Sequence, residues 1–208
     1  MFNFDFSTMI YTVPALLFAI TVHSYAQAQC ADSLGDPTPR MAGKLTMNPM
    51  AHLDILGAIM LVLCHFGWAD PVPYDPRYFK NVRSGIIKMA LAGILANLFV
   101  CFLGALLSVV MQKMGMLSIT VNKFLMWMQL YNVWFAFFNL VPVPPLDGAT
   151  LLAELLPSDL SWKYQDLVGR YGFYIIIALV FTGIIGRIIT PLANIYMFFV
   201  GTILHLIF

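Results

Sequence analysis

The sequence predicts an all-α polytopic membrane protein, and three observations carry that prediction. Hydrophobic residues make up 61% of the 208-residue chain and charged residues only 10%, far below the roughly 25% charged norm of soluble domains. Mean hydropathy is +0.84. Apolar runs cover about residues 8–28, 55–67, 86–111, 121–141, 171–186 and 188–208, and a helical crossing needs about 20 such residues. Runs this dense leave no length for a separate soluble domain, so residues 1–208 are read as a single transmembrane domain.

The elements follow in order. The first run ends at Ala26-Gln27-Ala28, which resembles a signal-peptide cleavage site. The stretch before it, however, has no lysine or arginine and carries Asp5, so it reads as a retained helix. The second run, 55–67, has no charged side chain apart from His65 and is short for a crossing. Its length fits a re-entrant or interfacial segment. The third and fourth runs are of crossing length. The last two abut at Gly186-Arg187 with Pro191 just beyond, which predicts a tight turn or break between two closing helices. Polar segments 32–49, 70–84 and 142–166, rich in proline and glycine, join the runs.

Lysines and arginines test the second run. If it spans, Arg40, Lys44, Lys113, Lys123 and Arg187 oppose Arg77, Lys80, Arg83, Lys88, Lys163 and Arg170, which orients nothing. If it returns, only Lys113, Lys123 and Arg187 stay apart from the rest. That is a positive-inside signal. It predicts an integral protein of a bacterial-type inner or plasma membrane, with the ends of the first and fourth runs facing the cytoplasm. A net charge of +1 excludes nucleic acid as a partner class, and membrane lipid is the partner that composition implies. Cys30, Cys64 and Cys101 lie far apart, in or beside apolar runs, and read as small packed hydrophobes rather than a disulfide framework.

The chemistry is divided between the two ends predicted to share a face. The first run closes with His23-Ser24-Tyr25-Ala26-Gln27, and the fourth is followed by Asn139-Leu140-Val141-Pro142-Val143-Pro144-Pro145-Leu146-Asp147-Gly148. Prolines break the helix there and hold Asp147 at the membrane rim, where an ionisable group is costly without a partner. Taken alone, Pro-Pro-Leu-Asp-Gly also fits a solvent turn.

Together with the rest of the chain, these segments resemble the site-2 protease family of intramembrane zinc metalloproteases. Its Asn-x-x-Pro-x-x-Pro-Leu-Asp-Gly motif is matched by Asn139, Pro142, Pro145, Leu146, Asp147 and Gly148. Leu34 to Arg40, Gly43 to Pro49 and His52-Leu53-Asp54 are similar to the segment after its metal helix. Phe66 to Ala69, Pro71-Val72-Pro73, and Pro76 with Phe79, Asn81 and Arg83 continue the likeness. Ala92-Gly93 with Asn97 is similar to its Ala-Gly-Pro-x-x-Asn element, with Ile94 in place of the proline.

The resemblance implies a site-2 protease-like helical bundle in which His-Glu-x-x-His supplies two zinc ligands and a general base, and the Leu-Asp-Gly aspartate a third ligand. Here His23 and Asp147 occupy ligand positions, Gln27 replaces the second histidine, and Ser24 occupies the general-base position. A serine hydroxyl is barely basic near neutral pH, so Ser24 cannot relay a proton from water to a leaving amine. The neutral amide of Gln27 is a poor zinc donor beside imidazole or carboxylate. No other candidate among Gln29, Asp32, His52, Asp54 and His65 lies one helical turn from His23. His23 is therefore expected to hydrogen-bond to Asp147 or Gln27.

The expectation is a noncatalytic, pseudoprotease member of that family, with no catalytic residue and no cofactor. It would bind or scaffold a membrane partner, such as a transmembrane protein or a single helix. Asn97 and Asn139 are candidates to bind an extended backbone there, and interhelical hydrogen bonding is their competing role. The alternative is an active zinc-dependent intramembrane metalloprotease with an altered shell, its missing ligand supplied by a neighbour or a second protein. A transporter would need internal charges or paired broken helices that no run carries.

Overall fold

The computed structural model of the chain describes residues 6–54 and 69–208. Helix α1 (Phe6–Ser33) is followed by a single helical turn, α2 (Thr38–Met41), and by short 3-10 turns at Pro49–Ala51 and Pro76–Tyr78. Then come α3 (Val82–Lys113), α4 (Ile119–Asn139), α5 (Asp147–Leu155), α6 (Ser158–Phe181) and α7 (Ile184–Ile207). No sheet forms among the described residues, which hold only an isolated antiparallel bridge between Leu53 and Ala69. The all-α polytopic bundle expected from composition is the architecture found. Helices α1 (from Thr8), α3 and α7 are long and apolar enough to cross a bilayer. Helix α4, 21 residues and so about 30 Å long, packs against all of them.

Local sequence explains where the helices start. The Asn81 side chain accepts from the Ser84 N–H ahead of α3, and the Ser118 hydroxyl from the Val121 N–H ahead of α4, each satisfying a first-turn donor. Contacts then fix direction. Ala31 of α1 clusters with Ile86 and Met89 of α3, whereas Ala19 lies against Asn97 further along, so these helices are antiparallel. Ala15 and Ala19 pack on Tyr131, and His23 on Phe135, so α4 runs parallel to α1. The end of α1, the start of α3 and the end of α4 therefore meet at one end of the bundle, the site end.

The last two helices depart from the sequence expectation. The break falls at Thr182-Gly183, where Gly183 takes the left-handed conformation (φ 71°), and Gly186, Arg187 and Pro191 all lie inside α7. Helix α6 starts at Ser158, well before the apolar run at 171, because its polar first half is already helical. Val143, Leu146, Ile176, Ile185 and Ile189 share one buried cluster, and the Tyr164 hydroxyl donates to the Pro142 carbonyl at 2.9 Å. Helix α6 thus lies against the loop at the site end, and α7 starts there and finishes with Val200 and Leu204 against Ala105. Arg187 moves with it to the site end, leaving Lys113 and Lys123 at the other. The 142–166 segment, read from sequence as a connector, contains α5, which packs Leu151 on Ala90, Ile94 and Ala136.

The loops at the site end are tied by buried polar side chains. Asp36, fully buried, accepts from the N–H groups of Thr38 (2.9 Å) and Asp75 (2.8 Å). Lys44 donates to the Ala51 carbonyl (2.7 Å) and to Asp70 Oδ2 (2.5 Å). The interfacial or re-entrant segment expected at 55–67 lies outside the described residues. Its flanks do not: Leu53 and Ala69 are bridged, and the Asp70 N–H donates to the His52 carbonyl at 3.0 Å. The chain leaves and rejoins the described structure at one place.

Candidate functional site

At the site end three helices bring four polar side chains together at membrane depth. His23 and Gln27 are one turn apart and share a face of α1. Asp147 is the first residue of α5, delivered by the proline-rich turn after α4. Asn97 comes from the middle of α3. His23 Nε2 lies 2.8 Å from Asp147 Oδ2, and the Gln27 amide nitrogen donates to Asp147 Oδ1, also at 2.8 Å. His23 Nδ1 lies 2.9 Å from Asn97 Oδ1. The hydrogen bond from His23 to Asp147 expected from sequence is therefore present, and Gln27 joins the same carboxylate.

Proton accounting settles the roles. The Asn97 amide nitrogen donates to the Ala19 carbonyl (3.0 Å) and to Asn132 Oδ1 (2.9 Å). Both donors are then used, so its oxygen accepts and His23 Nδ1 carries the proton. Asn132 in turn donates to the Met128 carbonyl at 2.8 Å. A single proton lies between His23 Nε2 and Asp147 Oδ2. The result is a closed ladder from α5 through α1 and α3 to α4, with His23, Gln27, Asn97 and Asn132 all buried. Such satisfaction is what a polar group at this depth requires.

Two glycines permit this approach. A Cβ on Gly93 would come within 2.6 Å of the His23 ring, and one on Gly148 within 2.2 Å of the Leu140 carbonyl oxygen. Phe135 closes the remaining side of the imidazole edge-on, with ring centroids 5.1 Å apart. Ser24 is buried on α1 beside His23.

Asn97, within the cluster, has no exposed surface and spends its groups on α1 and α4; the other candidates are dispersed. Asn139, also buried, donates to the Phe135 carbonyl of its own helix at 2.9 Å. Asp32 is engaged by Arg40 at 2.9 and 2.6 Å. His52 is fully buried in the loops, where its Nε2 pairs with the Thr46 carbonyl at 2.8 Å. Gln29 faces an open groove on the outside of α1. Asp54 stays in the loops next to His52, and His65 lies outside the described residues. Sequence reasoning missed Asn132 and the close approach at Gly93. The signals were an amide seven residues before Asn139, two turns away on the same face, and a small residue one turn before Asn97.

Comparison with known proteins gives the family. The profile of peptidase family M50 matches residues 2–181. The chain belongs to peptidase family M50. It is also 36% identical over 197 residues to the Bacillus subtilis (strain 168) protein named "Putative zinc metalloprotease YwhC", covering 92% of this chain and 89% of that one. No solved structure matches. The membership and the apolar helices make this chain an integral membrane protein with a bacterial relative.

The family implies a zinc ion, and the donors can be tested for fit. The described residues contain no group of three or more histidine, cysteine or acidic side chains placed to hold a metal. At the cluster itself, His23 Nε2 and the Asp147 carboxylate are strong donors, and the third side chain presents an amide N–H to the carboxylate. A hydrolytic zinc centre takes three protein ligands and a water. Two strong donors and an N–H turned inward do not make that set.

Proposed function

We propose that this M50 member is catalytically inactive and acts as a binding or scaffolding subunit for a membrane partner, a transmembrane protein or helix. The observation that carries the reading is the Gln27 amide donating to Asp147 Oδ1. It occupies the carboxylate oxygen with a proton donor at the point where the family places a second imidazole. Ser24 at the general-base position supports the same reading, because its hydroxyl cannot accept a proton from water near neutral pH. In this proposal His23, Gln27 and Asp147 join α1 to α5, and the bundle persists as a surface for its partner. The site end faces the cytoplasm. The bridged flanks at Leu53 and Ala69 support that orientation, since they keep the basic residues from Arg40 to Lys88 on one side, with Lys163, Arg170 and Arg187.

Metal analysis of the full chain purified in mild detergent, paired with a cleavage assay on a transmembrane substrate, tests this. The expected outcome is substoichiometric zinc, no cleavage, and a co-purifying membrane protein. Stoichiometric zinc that disappears in His23→Ala, with cleavage that disappears in Asp147→Ala, would overturn it in favour of an active enzyme with an altered shell.

A further inference from the structure

Helix α6 has 24 residues and is therefore about 36 Å long, enough to cross the ~30 Å core of a bilayer. Its contacts do not descend with it. Ser161 donates to the Ala153 carbonyl of α5 (2.7 Å), Tyr164 reaches Pro142, and a Cβ on Gly172 would lie 3.1 Å from Pro144. Ile176, Leu179 and Val180 pack with Val143, Leu146 and the first turns of α7. These partners all belong to the site end, so α6 lies across the bundle rather than down it. Three stripes, each one residue and so about 100° from the next, run along its first half. Ser161, Val168 and Gly172 are buried against α5 and the proline-rich turn. Asp159, Lys163, Asp166 and Arg170 make a stripe of alternating charge nearly opposite, in which Arg170 pairs with Asp166 at 2.7 Å. Between the two, Leu160, Leu167 and Tyr171 are each more than half exposed. Trp162, 70% exposed, lies on the other side of the buried stripe. From Tyr171 to Phe181 the helix carries no charge, and Tyr174 and Ala178 continue the Leu160 flank, both exposed.

We infer that α6 rests in the lipid–water interface of the leaflet at the site end, with its Leu160, Leu167 and Tyr171 flank on acyl chains and its charged stripe in water. Two observations name lipid as the occupant of that flank. The flank runs without a break into an uncharged half whose composition suits hydrocarbon, and the charged stripe lies on the side turned away from the bundle. A helix divided in this way sits about 5–10 Å into the boundary between headgroups and acyl chains, a depth that Trp and Tyr favour. The alternating charges give no preference for an anionic headgroup, so a neutral lipid suffices. The inference goes beyond the proposed function, since it concerns lipid and not the protein partner.

The test uses the full chain reconstituted in vesicles of phosphatidylcholine brominated either near the headgroup or near the acyl ends, with tryptophan emission as the readout. Leu167→Trp and Asp166→Trp, neighbours on different stripes, are each read as the gain over wild type. The emission added by Leu167→Trp should be lost to the shallow bromines more than to the deep ones. That added by Asp166→Trp should be quenched by iodide present on both sides of the membrane and spared by both brominated lipids. Native Trp162, read as the difference between wild type and Trp162→Phe, should follow Leu167→Trp and serves if that variant fails to fold. Quenching of the Leu167→Trp and Trp162 signals by iodide alone would put the flanks in water. Quenching by neither agent would mean that protein covers them, and a greater loss to deep than to shallow bromines would mean that the helix is immersed. Each of these results would overturn the inference.

Discussion

The cluster around His23 and the loop knot around Asp36 both bury ionisable side chains, yet they are answered by different things. In the knot the partners are mostly main chain: Thr38 and Asp75 N–H groups for Asp36, the Ala51 carbonyl for Lys44, and the Thr46 carbonyl for His52. In the cluster, apart from the Ala19 and Met128 carbonyls, they are side chains on other helices. A main-chain group cannot be exchanged, so deleting its partner orphans it. A side-chain partner can change together with what it meets. The knot's motif residues therefore read as architecture, and positions 24 and 27 are places where chemistry could be altered while the bundle stayed closed.

The sharpest way to break that contrast is to reverse the change. Ser24→Glu with Gln27→His places an imidazole one turn from His23, whose Nδ1 proton is already held by Asn97 as a metal-bound imidazole requires. Zinc affinity should rise by at least ~100-fold, since a gained ligand outweighs the ~10–100-fold effect of outer-shell changes. Calorimetric titration of the detergent-purified variant checks it. No gain would mean that the cluster cannot open to admit an ion. Next in size is Asp36→Ala, which strips two partly buried N–H groups of their acceptor and should cost about 2–6 kcal/mol at 1–3 per orphaned group. Thermal unfolding in detergent would show it. A loss under half a kcal/mol would refute the architectural role of the knot.

How much of this was legible follows from the same contrast. Composition and runs gave the bundle, and His23, Gln27 and Asp147 were brought together by the resemblance of their two segments to the family's metal helix and Leu-Asp-Gly motif. The partners of Asn97 were not. An amide in an apolar run is compatible with a ligand or a neighbouring helix, and only the antiparallel register of α1 and α3 brings it to Ala19 and His23. The start of α6 was hidden for another reason. Residues 158–170 are polar and mostly exposed, with Tyr164 reaching the site-end loop, so hydropathy saw a helix only from its apolar half. Gly183 rather than Gly186 ends α6, since the break needs a left-handed residue and Pro191 is tolerated within a membrane helix.

A smaller effect separates the ladder from the knot more finely. Asn97→Leu keeps the volume but removes three interhelical hydrogen bonds. Such bonds in membranes average about 0.6 kcal/mol, so the expected loss is about 2 kcal/mol, at or below that of Asp36→Ala. The imidazole should also lose its fixed tautomer, visible as a change in the His23 ring-nitrogen chemical shifts. An unchanged ring signal would mean that Asp147 alone orients the histidine.

The smallest effect belongs to the surface of the knot, where Asp75 and Arg77 pair at 2.6 Å. The Arg77 hydrogen bonds hold the Asp75 carboxyl below its ordinary value, so the folded form is the stronger acid. The pair's contribution is then complete above the unfolded value of ~3.9 and is lost as pH falls through the folded one. The melting difference between wild type and Arg77→Gln should be flat from pH 5 to 8, shrink below about 4, and weaken in high salt because the pair faces water. A difference that instead grew on acidification would mean that Arg77 is held by something other than this carboxylate. The Asp75 N–H bond to Asp36, answered by a fully buried carboxylate, should survive the substitution unchanged.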